Sequence, residues 1–63
     1  MNTYMESYIT SSITYLKTFK QSLRMAAMRN DGRIDRQEQK IIDKVDKLTD
    51  KYIRELKKLT DDD

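Results

Sequence analysis

Three carboxylates, Asp31, Asp35 and Glu38, surround the sole glycine of the chain, Gly32, in the stretch RNDGRIDRQEQ that runs from Arg29 to Gln39. Acidic residues at this spacing are the raw material of a calcium loop. Such a loop repeats oxygen ligands at alternate positions, turns sharply at a glycine and closes with a glutamate. With Gly32 at the sixth position, Asp31 falls at the fifth, Ile34 at the eighth, Asp35 at the ninth and Glu38 at the twelfth. The first and third positions then hold Ala27 and Arg29, so two side-chain ligands are missing and a cation stands where an oxygen is needed. Calcium takes roughly six to eight oxygens, which this loop does not supply. A turn accounts for the same residues without a metal. Gly32 permits a positive φ, Asn30 and Asp31 favour a turn, and Asp35 caps a following helix with Glu38 three residues on, as in a capping box. The reading is therefore no metal and no cofactor, with Asp31, Asp35 and Glu38 the carboxylates at which a cation would have to sit.

Other catalytic chemistry finds little material. The chain has neither cysteine nor histidine, which removes disulfides, thiol nucleophiles, imidazole acid–base catalysis and the usual zinc sites. Asp43 and Asp46 form a carboxylate pair, but on a face rich in charge, where nothing supplies a pocket to shift a pKa. No phosphate-binding glycine loop or nucleophile elbow is present. The expectation is a protein that is not an enzyme. Charged residues make up 38% of the chain, yet their signs almost cancel, to +2. Lys17, Lys20, Arg24 and Arg29 make one stretch basic, but the balancing acids that follow argue against nucleic acid as the partner. No apolar run reaches the length of a membrane span and no hydrophobic signal core is visible, so a cytoplasmic location is expected.

The segment NDGRIDRQEQKII, Asn30 to Ile42, resembles the degenerate, EF-hand-like turn of tellurite-resistance TerB-type helical proteins. In those proteins an apolar helix runs into D-G-x-I-D-x-x-E and then a second helix. The resemblance covers about a dozen residues and implies a helix-turn-helix element at this place. The family's further helices have no counterpart here, and their metal ligands are not carried over.

The elements that position these residues are two helices. Proline is absent and Gly32 stands alone, so only the region around it interrupts helical sequence. The pattern predicts a helix over 3–28, a turn over 29–35, a second helix over 36–59 and a frayed acidic tail over 60–63, all in one domain. On a helical wheel Met5, Leu16, Phe19 and Leu23 centre the apolar face of the first helix, with Tyr4, Tyr8, Tyr15 and Ala26 on one flank and Ile9, Ile13 and Ala27 on the other. Ser12 lies inside that face, where its hydroxyl can bond back to the preceding turn or mark a close helix crossing. In the second helix Ile41, Val45, Leu48, Tyr52, Leu56 and Leu59 recur at steps of three and four, with Ile42 and Ile53 on the shoulder. Asp43–Lys47 and Asp50–Arg54 are candidate i,i+4 ion pairs on the opposite face.

The expected fold is all-α, an antiparallel two-helix hairpin. Two helices leave part of each apolar face uncovered, and a chain of 63 residues folds with little margin. Completion to a four-helix bundle, by homodimerisation or by a helical partner, is therefore expected. Tyr8, Ile9, Tyr15, Leu16, Phe19, Leu23, Ile42 and Ile53 are the candidate interface. In size and architecture such a hairpin is similar to small chaperones and adaptors of bacterial secretion systems. That analogy implies a protein–protein interaction module, ahead of a calcium-responsive module or a nucleic-acid binder.

Overall fold

The computed structural model describes residues 1–29 and 31–61. Helix α1 spans Thr3–Met28 and helix α2 spans Arg36–Asp61. Each has 26 residues and is about 39 Å long at the α-helical rise.

α1 starts where Asn2, in extended conformation, turns its side-chain oxygen back to accept from the backbone N–H of Met5 at 2.9 Å. An asparagine at this place satisfies one of the free donors of the first turn. No glycine or proline follows until the turn. α1 then closes through two backbone bonds, Arg29 N–H to the Ala26 carbonyl at 3.2 Å and Gly32 N–H to the Met28 carbonyl at 2.8 Å. Gly32 adopts φ +73°, the only positive φ among the described residues. Asp31 Oδ1 accepts from the backbone N–H of Arg33 at 3.0 Å, a side chain holding its own turn.

α2 opens with the full reciprocal cap. Asp35 Oδ1 accepts from Glu38 N–H at 2.7 Å, and Glu38 Oε1 accepts from Asp35 N–H at 2.9 Å. It ends later than the sequence pattern suggests. Thr60 and Asp61 lie in the helix, and the Thr60 hydroxyl donates to the Lys57 carbonyl at 3.1 Å. Nothing in the sequence stops the helix at Leu59, because neither glycine nor proline follows. Asp62 and Asp63, the rest of the expected tail, lie outside the described residues, as does Asn30.

The helices lie antiparallel. Lys20 pairs with Asp50 and Arg24 with Asp46, so a step of four forward along α1 is a step of four back along α2. The seam between them takes Ile13 and the half-buried Ile9, Leu16, Leu23 and Ala27 from α1. From α2 it takes Ile42, Thr49 and Ile53, with Val45 and Leu56 half-buried. Among the described residues, only Ile13, Ile42 and Ile53 are buried hydrophobic residues. Thr49 is buried beside them and bonds its hydroxyl to the Val45 carbonyl at 2.6 Å, so its one polar atom is satisfied within the helix. The Cα envelope measures 46 × 17 × 10 Å, a slab one helix deep with two broad sides.

Candidate interaction surface

The ion pairs decide which way each broad side points. Lys20 and Arg24 leave the seam of α1 toward one side, and Asp46 and Asp50 leave the seam of α2 toward the same side. At 100° per residue, the opposite flank of α1 carries Met5, Tyr8, Ser12, Tyr15, Phe19 and Ala26. The corresponding flank of α2 carries Ile41, Leu48, Tyr52 and Leu59. Because the two charged flanks meet on one side, the two apolar flanks meet on the other. They form one continuous face built from both helices.

That face is open. Tyr8 is 78% exposed, Tyr15 74% and Phe19 47%, and Ile41, Leu48, Tyr52 and Leu59 are all exposed. Ser12 fits among them because its hydroxyl donates to the Tyr8 carbonyl at 2.9 Å, leaving a small side chain with no free donor. This answers one of the two roles open to it in the sequence. The register set by the ion pairs brings Ile9 level with Asp61. Thr3–Tyr8 therefore runs past the last described turn of α2, and Tyr4, Met5 and Tyr8 line a shallow dip with Asn2 and Ile9 on that overhang.

The residues expected at an interface divide in two. Tyr8, Tyr15 and Phe19 lie on the open face, whereas Ile9, Leu16, Leu23, Ile42 and Ile53 lie in the hairpin's own seam. Ile42, 2% exposed, and Ile53, 7% exposed, are core residues of the single chain, so they are closed to a second one. Conversely, Ile41, Leu48, Tyr52 and Leu59, read as the main stripe of α2, face outward and belong to the surface. The signal that separates the two sets is the matched spacing of Lys20 and Arg24 against Asp46 and Asp50. Each pair is four apart and of opposite sign, which fixes the side of α2 that turns toward α1.

The polar groups are engaged elsewhere. Asp50 holds Lys20 across the seam instead of Arg54, and Asp43 accepts from Gln39 Nε2 at 2.9 Å instead of pairing with Lys47. Arg24 Nη2 reaches Asp46 Oδ2 at 3.1 Å, while Asp46 Oδ1 is buried without a partner among the described residues. In the turn, Asp31, Asp35 and Glu38 each accept a backbone N–H. Among the described residues no group of three acidic side chains is placed to hold a metal ion. None of the described helices is long and apolar enough to cross a membrane.

Fold and surface together define an all-α helical hairpin with one open apolar face. No family model matches the chain, and no match was found among curated proteins or solved structures.

Proposed function

We propose that this chain is a non-enzymatic protein–protein interaction module of the cytoplasm, an adaptor or chaperone-like hairpin. It acts by self-association, by binding an amphipathic helix of another protein, or by both. The observation that carries the reading is the continuous exposed face of Tyr8, Tyr15, Phe19, Ile41, Leu48 and Tyr52. Contiguous apolar surface rimmed by polar residues marks interaction sites, and tyrosine is enriched where they form. The calcium-responsive alternative has less support, because the turn carboxylates already hold the backbone amides that cap α2. A nucleic-acid role is likewise less favoured, because Lys20 and Arg24 are neutralised across the seam.

The test is fluorescence anisotropy with a labelled amphipathic helical peptide, leucine at heptad spacing on a Glu/Lys background, together with the mass of the chain in solution. Either self-association or peptide binding is expected, and Phe19→Glu weakens whichever is seen. A chain that remains a monomer and takes up no peptide at millimolar concentration ends this reading.

A further inference from the structure

Which chain covers the open face follows from its area, its composition and its symmetry. The hairpin exposes 5635 Å². A compact monomer of 7.6 kDa exposes only about 4,300 Å² by the usual size scaling. The excess is about 1,300 Å² per chain, and a contact that removed it from both copies would bury about 2,600 Å², inside the range of obligate homodimers. A hairpin with three buried isoleucines among its described residues gains stability by removing it. The face also suits itself. A two-fold contact requires a patch complementary to its own copy, and this patch is uncharged along its centre, since Lys20, Arg24, Asp46 and Asp50 are all paired on the opposite side. The same patch offers a charged partner nothing to pair with.

Its relief is complementary as well. In the register of the ion pairs, Ser22 stands level with Leu48, and Ser12 is within one residue of level with Leu59. A two-fold axis along the slab lays α1 over α2 of the mate and sets those leucines over the serines. The other arrangement, α2 over α2, brings a border of Lys44, Lys51, Glu55 and Lys58 against its own copy, which stays net positive although Lys58 pairs with Glu55. We infer that a second copy of this chain covers the face of Tyr15, Phe19, Leu48, Tyr52 and Leu59 across a two-fold axis, with α1 of each copy packed over α2 of the other in a four-helix bundle. This rests on the interaction reading above and names its partner.

The experiment is light scattering after size exclusion on the full chain, on Leu48→Glu and on Tyr52→Glu. Both substitutions lie at exposed positions and keep good helix formers, so neither disturbs the seam within the hairpin. The expected mass is twice 7.6 kDa, and each variant weakens association by roughly tenfold or more. Isotope-filtered NOEs in a mixture of labelled and unlabelled chains then run from the Leu48 and Leu59 methyl groups to Ser22 and Ser12 of the mate. A monomeric parent chain overturns the inference, as does a dimer indifferent to both variants, a higher oligomer, or intermolecular NOEs confined to α2 against α2. A monomer that still takes up the amphipathic peptide overturns only the dimer; one that does not ends the interaction reading too.

Discussion

At the scale of single residues, the turn is where local chemistry alone fixes the structure. Gly32 sits at φ +73°, and a β-carbon built there meets nothing within 4 Å. Its requirement is therefore purely one of backbone conformation, since the left-handed region is strained for other residues whatever the space around them. Gly32→Ala is expected to cost about 1 kcal/mol, and Gly32→Asn less, because asparagine visits this region more readily. Urea unfolding followed by circular dichroism gives the comparison; an alanine variant as stable as the parent means the turn changes conformation freely. This part of the molecule was legible in the sequence because every determinant lies within a few residues. Gly32, Asp31, Asp35 and Glu38 take the turn and cap roles their types suggest. The Asn2 cap on α1 was equally local and was open to the same argument, since asparagine just ahead of an apolar run at helical spacing is a start signal.

At the scale of the helices, the sequence showed that both exist and where they turn, but not which stripe of each meets the other. The wheel places the centre of α2 on Ile41, Leu48 and Tyr52 because apolar residues are densest there. The seam instead lies one step round, on Ile42, Thr49 and Ile53. An apolar arc wide enough for two neighbours has no single centre, and its midpoint names neither contact. Long-range charge matching resolves the choice, through Lys20 with Asp50 and Arg24 with Asp46, and these partners are 30 and 22 residues apart in sequence. Such partly exposed pairs contribute little to stability, with a median of about 0–1 kcal/mol; they act here on orientation. Thr49 offers a sharper test of the seam. It is buried and its hydroxyl only supplements a carbonyl of its own helix. Thr49→Val keeps the shape and removes a polar atom from an apolar contact, so stability should hold or rise by up to about 1 kcal/mol. The same change at Ser12, on the open face, leaves the seam untouched. A loss of more than about 1 kcal/mol at Thr49 in urea unfolding would show that the hydroxyl contributes to folding beyond its helix bond.

At the scale of the whole molecule, a slab 10 Å deep cannot shield both of its broad sides. One side is made tolerable to water by paired charge and the other is left apolar. If folding and association are one event, stability is inseparable from concentration, since the mate acts as a ligand of the folded state alone. Each tenfold rise in protein concentration should then add about 1.4 kcal/mol per dimer to the free energy of unfolding. The melting midpoint followed by circular dichroism should climb accordingly across a dilution series, and helicity should fall at the dilute end. Salt adds a second, independent reading of the same series. The apolar face carries no charge along its centre, so moderate salt should leave the concentration dependence intact while weakening the exposed ion pairs of the other side only slightly. A midpoint that does not move with concentration would mean that the seam of Ile13, Ile42 and Ile53 suffices to fold the hairpin alone. The open face would then have to be explained by a different chain.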